Sequence, residues 1–146
     1  MDLKHLHLGP PHHTIHLANA VEVGRFGEAL AVRHLLDQGY HLLDRNWYAH
    51  GEVRGELDIV VSQRDTVCFV EVKTRSTALM AHPAEAVTSR KVDSLAKLAR
   101  AWLVEHPIRP RATRLDVISV KVRFNPGTRD LVAARLDHMQ GVSAWR

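Results

Sequence analysis

The sequence predicts an α/β domain with the element order αβββαβ. Three observations carry this prediction. Apolar residues recur with helical spacing over 19–38 and again over 89–105. Strand-forming segments fill the interval between them and follow the second helix. The runs Gly55-Glu56-Leu57-Asp58-Ile59-Val60 and Phe69-Val70-Glu71-Val72-Lys73 read as the two arms of one hairpin turning at Arg64-Asp65. At 146 residues, 45% hydrophobic and 25% charged, the chain can build one core, and it contains no internal repeat or second domain.

Taken in order, residues 1–18 hold five of the eleven histidines and a Gly-Pro-Pro, with no sustained period, and are expected to be a disordered leader. His5 with His7, or His12, His13 and His16, are adventitious metal ligands at most, because no cysteine or carboxylate cluster supports a zinc site. The domain is expected over 19–138, with 139–146 as a tail. The first helix runs from about Asn19 to Gln38 and stops at Gly39. At ~100° per residue, Val21, Gly24, Glu28, Ala31, Val32 and Leu35 share a face, with Gly24 and Ala31 allowing close approach to a sheet. Glu28 interrupts that face, either as an inward acid that needs a partner or as an edge residue reaching water or Arg25.

Tyr40 to Tyr48 is the first strand, and the hairpin supplies the next two. Residues 75–88 form a loop containing Pro83. The second helix follows from Ser89 to Glu105, capped by Thr88 or Ser89 and ended by His106-Pro107. Its apolar stripe is Leu95, Leu98 and Trp102, headed by Lys91. Arg114 to Phe124 is a further strand, Asn125-Pro126-Gly127 a turn, and Leu131 to about Leu136 a short edge strand.

The hairpin carries the chemistry. A symmetric loop sets Asp58 opposite Glu71 and Glu56 opposite Lys73. Like charges facing one another destabilise a sheet, and burying them unpaired costs more. A divalent cation between the two carboxylates relieves both problems. Mg²⁺, with Mn²⁺ as a substitute, suits oxygen ligands: Asp58, Glu71 and the Val72 carbonyl. Such a cation neutralises a scissile phosphate and activates water. Lys73 shares a strand face with Glu71 and is placed to orient that water or to stabilise developing charge. Alone, a Glu-x-Lys is an ordinary cross-strand ion pair, here with Glu56, worth ~0.2–1 kcal/mol. Asp58 in facing register and Glu28 on the preceding helix raise its specificity.

Charge suggests the partner. Net charge is +4. Residues 1–73 carry 7 Lys/Arg against 10 Asp/Glu, and residues 74–146 carry 13 against 6, so an acidic candidate site precedes a basic half suited to phosphate. Arg75, Arg90 and Lys91 are the candidate nucleic-acid contacts, although Lys91 reads equally as a stem packed on the core. Asp116 reads as an ion-pair partner for Arg114 or Lys91 rather than a metal ligand. No apolar run approaches the ~20 residues of a membrane span. Cys68 is the only cysteine, which excludes an intrachain disulfide and points to the cytoplasm; between Val67 and Phe69 it reads as core.

Gly24-Arg25-Phe26-Gly27-Glu28, Gly39-Tyr40, Arg45-Asn46, Gly55-Glu56-Leu57-Asp58, Val70-Glu71-Val72-Lys73-Thr74-Arg75, Val87, Lys91 and Arg114-Leu115-Asp116-Val117-Ile118 together resemble the YraN family over about 20–138. That family is related to Holliday junction resolvases within the PD-(D/E)xK, restriction endonuclease-like, nucleases; the nominal proline of the motif is Leu57 here. The resemblance implies a mixed β-sheet flanked by helices and a Mg²⁺-dependent endonuclease centre at a sheet edge. Asp58, Glu71 and Lys73 would be its core residues and Glu28 the auxiliary acid. By analogy it also implies DNA, including branched DNA, as substrate, and a symmetric homodimer. A catalytically silent nucleic-acid-binding module of the same fold is the alternative.

Overall fold

The computed structural model describes residues 4–6, 15–76 and 89–142. Its elements are β1 (Lys4–Leu6), α1 (Ala20–Asp37), β2 (His41–Tyr48), β3 (Glu56–Gln63), β4 (Thr66–Ser76), α2 (Ser89–Glu105), β5 (Ala112–Phe124) and β6 (Leu131–Met139). The expected αβββαβ order is therefore present, extended by a strand at each end. The strands form a mixed six-stranded sheet in the order β1-β6-β5-β4-β3-β2. Only β4 and β5 run parallel, and α2 makes the crossover that a parallel pair requires. A mixed sheet flanked by two helices is compatible with a restriction endonuclease-like fold.

The central strands explain the longest apolar runs. Val67–Val70 and Leu115–Val117 are buried because a helix covers each face of the sheet. On one face, Val23, Ala31, Val32 and Leu35 of α1 pack with Ile59, Val61, Cys68, Val70, Ile118 and Val120. On the other, Val92, Leu95, Leu98 and Trp102 of α2 pack with Val60, Val67, Phe69 and Leu115. Cys68 is core, as expected, and burial raises its thiol pKa to about 11.

Helix α1 starts and stops where local chemistry dictates. The Asn19 side chain accepts the Glu22 N–H at 3.0 Å, and Glu22 reaches back to the Ala18 N–H at 2.6 Å. Gly39 follows the helix at φ +88°, a conformation that favours glycine. The buried face agrees with the expected one at Ala31, Val32 and Leu35 but departs from it in the first two turns. Val21 is 61% exposed, and no atom lies within 4 Å of a Cβ placed on Gly24. Val23, Gly27, Ala31 and Leu35 face inward, with Gly27 pressed against Thr74 of β4.

Both ends of the chain depart from expectation. The leader is not structureless throughout: Lys4–Leu6 pair with Ala134–Leu136, Ile15 accepts the Leu131 N–H, and Leu17 is buried. His16 forms a bridge with Asp130, while His7, His12 and His13 lie outside the described residues. Strand β6 is longer than expected and is not an edge, because β1 covers it. Residues beyond 138 belong to the domain too. Met139 ends β6, and the Gly141 and Val142 N–H groups bond Asp116 and the Leu115 carbonyl. The Pro83 loop beyond Ser76 and the Thr88 cap lie outside the described residues.

Candidate active site

The β3–β4 ladder has the anticipated register, from Gln63↔Thr66 to Ile59↔Val70. Beyond Ile59 the pairing ends. There the Asp58 carboxylate, rather than a main-chain carbonyl, takes the Val72 N–H at 2.8 Å. This contact fixes Asp58 half-buried against β4. Lys73 Nζ lies 3.4 Å from Glu71 Oε1, and both side chains are about one-quarter exposed, at 24% and 28%. Glu56, expected to face Lys73, is instead engaged by β2. It pairs with Tyr48 in the strand register, and its carboxylate raises the pKa of the Tyr48 hydroxyl through a hydrogen bond.

Glu28 points inward. Its pKa is raised by burial and then by Glu56, against lowering by Arg45, with Glu71 and Arg25 contributing less. Asn46 links the two acids. With its amide oriented to satisfy its neighbours, the nitrogen donates to Glu56 Oε1 at 2.8 Å and Glu28 Oε2 at 3.1 Å. Asn46 holds φ +50°, a region asparagine tolerates better than most residues. The Asp58 pKa is pushed up to about 7, chiefly by desolvation and next by the Glu71 charge; the Val72 N–H opposes this, and Glu28 and Glu56 add to it. Four carboxylates from three elements thus share one field.

Close packing delivers this geometry. Gly27 lets α1 settle on Thr74, which brings the neighbouring Glu28 toward β4. Lys73 stands where two clefts meet. One is lined by Gly24, Glu28, Val72 and Thr74 among others. The second is lined by Arg75, Val117, Ser119, Lys121, Arg135, Asp137 and Met139. Of the other candidates, Arg75 is half-buried in the second cleft, Arg90 is exposed and Lys91 half-buried on the first turn of α2. Neither Arg90 nor Lys91 is among the described residues lining these two clefts.

Among the described residues, no three His, Cys, Asp or Glu side chains converge as a preformed metal cage. The donor set nevertheless fits a hard cation. Mg²⁺ binds through one or two carboxylates and keeps its waters, and Asp58 with Glu71 supplies two carboxylates. The raised Asp58 pKa reflects burial first and the Glu71 charge second, and a divalent ion would favour the ionised form against both. Sequence reasoning underused Glu56 and Asn46, whose roles appear only once β2 is laid beside β3.

Asp116 is buried and holds no place in this site. It takes two hydrogen bonds from Arg114, at 2.8 and 2.9 Å, and contacts His138 at 2.9 Å and the Gly141 N–H at 3.0 Å. The expected ion pair with Arg114 is therefore present.

The fold and this cluster define a mixed α/β protein with an acidic centre and an adjoining lysine at the end of a hairpin ladder. The chain belongs to the family described as Uncharacterised protein family UPF0102, the YraN family, whose model matches residues 27–120. It is 42% identical over 120 residues to a UPF0102 protein of Beutenbergia cavernae, covering 82% of this chain and 94% of that one. A UPF0102 protein of Myxococcus xanthus is 42% identical over 116 residues, covering 80% and 90%. One from Chlorobium phaeobacteroides is 44% identical over 99 residues, covering 68% and 76%. The matched segment holds Glu28, Asp58, Glu71 and Lys73.

Proposed function

We propose that this protein is a metal-dependent endonuclease that hydrolyses phosphodiester bonds of nucleic acid, with DNA, including branched DNA, as its substrate. The observation that carries the reading is the half-buried Asp58 beside Glu71, with a carboxyl pKa near 7 and Lys73 at 3.4 Å from Glu71. A structural protein gains nothing from such a repulsive pair, whereas a site for a cation and a phosphate does. Bound Mg²⁺ would neutralise charge on the scissile phosphate and make water nucleophilic near neutral pH. Asp58 and Glu71 would hold it, with the Val72 carbonyl beside them.

The chain's own groups do the rest. Lys73 offsets the negative charge that develops on phosphate oxygens and orients the attacking water. Asn46 keeps Glu28 and Glu56 together at the α1 side of the site, where Glu28 is the auxiliary acid. Arg75 contacts the backbone phosphates, with Arg90 and Lys91 as further contacts from α2. No helix among the described residues is long and apolar enough to cross a membrane, and the lone buried thiol suits a cytoplasmic setting. A symmetric dimer, proposed by analogy with enzymes that cut two-fold junctions, predicts twice the monomer mass in light scattering.

The test is cleavage of linear duplex, single strand, flap, four-way junction and RNA with Mg²⁺, Mn²⁺ or EDTA. Cleavage that needs the metal, is abolished by Asp58→Asn and falls by at least ~100-fold in Lys73→Ala is expected. Wild-type binding without cleavage, unchanged by either substitution, would replace the proposal with a silent nucleic-acid-binding module.

A further inference from the structure

Strand pairing arranges the second cleft as three rows across β4, β5 and β6. The first is Glu71, Val117 and Met139; the second is Lys73, Ser119 and Asp137; the third is Arg75, Lys121 and Arg135. All nine side chains alternate onto the sheet face that carries α2, because each row keeps the two-residue period. Helix α2 covers only the earlier part of that face, at Val67, Phe69 and Leu115. From Lys73 outward the face is a cleft.

The third row is a run of three cations in direct register, about 10 Å wide at the usual strand spacing. Adjacent like charges cost roughly 0.2–1 kcal/mol per pair, and core packing does not repay this, since Lys121 and Arg135 are exposed. Asp137 is the only carboxylate besides Glu71 in the three rows, and it stands in the second row rather than opposite the cations. The charge therefore changes sign along β4, from Glu71 through Lys73 to the basic row.

We infer that Arg75, Lys121 and Arg135 form a track for the nucleic-acid phosphate backbone as it leaves the catalytic centre past Lys73. This inference rests on the nuclease reading and adds Lys121 and Arg135, on strands that supply none of the catalytic residues. A polyanion running across the strands meets the row edge-on, and each phosphate it neutralises releases counterions.

The test is binding of fluorescently labelled duplex and four-way-junction DNA in EDTA, followed by anisotropy from 50 to 200 mM salt, so that turnover plays no part. Lys121→Ala, Arg135→Ala and their combination are compared with Arg111→Ala. Arg111 immediately precedes Ala112, the partner of Thr66 in the strand register, and lies ten residues and about 33 Å along the chain direction from Lys121. The double variant is expected to bind roughly tenfold more weakly, with a log–log salt slope shallower by about 1.8. Lys121→Arg should retain wild-type binding, Arg111→Ala should change it by less than about twofold, and each variant's thermal melt should match wild type. Wild-type affinity and slope in the double variant, or an equal loss in Arg111→Ala, would overturn the track alone. A wild-type protein that neither binds nor cuts any nucleic acid would bring down the nuclease reading with it.

Discussion

Gly27 of α1 and Thr74 of β4 occupy space that a second Cβ cannot share: a Cβ on Gly27 would sit 2.8 Å from both Cβ and Cγ2 of Thr74, and nearer still to its hydroxyl. The neighbouring residues are Glu28 and Lys73, so this contact sets how far the helix acid stands from the hairpin. Gly27→Ala should therefore cost about 1–3 kcal/mol from overpacking, exceeding the ~0.5–1 kcal/mol that alanine returns to a helix interior. Thr74→Ala in the same chain should recover part of the loss, read as a positive coupling in a urea-denaturation cycle. An unchanged midpoint in Gly27→Ala would mean that the helix does not seat there.

That contact also shows where sequence reading succeeds and where it stops. The hairpin register was legible because a short symmetric loop and alternating apolar residues fix it locally. The inward face of α1 was legible at Ala31, Val32 and Leu35 but not in its first two turns. Glycine carries no hydrophobic signal, two glycines lie three apart, and Val21 drew the stripe toward Gly24 rather than Gly27. The hairpin alone sets Glu56 opposite Lys73, but β2, on the other side of β3, claims it through Tyr48 and Asn46. The strand at Lys4–Leu6 and the docked residues Gly141 and Val142 depend on partners more than 20 residues away, which no local period encodes.

Asp58 predicts an unusual pH dependence. Its folded-state pKa, about 7, lies above its ordinary value of 3.8. Between those values the folded protein binds more protons than the unfolded one, so metal-free stability should fall as pH rises from about 4 to 7 and then level off. Asp58→Asn should flatten much of this slope and stabilise the metal-free protein at pH 8 by about 1–3 kcal/mol. Urea titrations at pH 5 and pH 8 decide it: equal slopes for wild type and variant would show that Asp58 ionises normally.

Asn46 offers a sharper probe of the acidic field. Its amide donates to Glu28 and Glu56, and Asn46→Asp replaces that donor with a third negative charge. Asn46 is exposed, so the loss should be about 0.5–1.5 kcal/mol near neutral pH, where a solvent-screened repulsive contact replaces two hydrogen bonds. It should shrink as pH falls and Glu28, whose pKa is raised chiefly by burial, protonates. Asn46→Gly keeps the backbone at φ +50° accessible and should cost less at pH 7. If the aspartate and glycine variants were equally stable at pH 7, the proximity of Glu28 and Glu56 would be wrong.

Asp116 is the opposite electrostatic case, an acid whose burial is compensated. Burial alone would raise its pKa, but the contacts with His138, Arg114 and the Gly141 N–H together bring it below the ordinary 3.8. Its contribution is thus fully present above that ordinary value and is lost as pH falls through the lower folded value. Asp116→Ala strands the Arg114 guanidinium, which still meets the Tyr40 hydroxyl at 2.5 Å, and should cost about 3–5 kcal/mol at pH 7. The same change removes the acceptor that holds the Gly141 N–H, so hydrogen exchange at Gly141 and Val142 should quicken by more than global destabilisation explains. A loss below about 1 kcal/mol with unchanged exchange there would show that the C-terminal segment is held by β6 pairing and the Leu115 carbonyl alone.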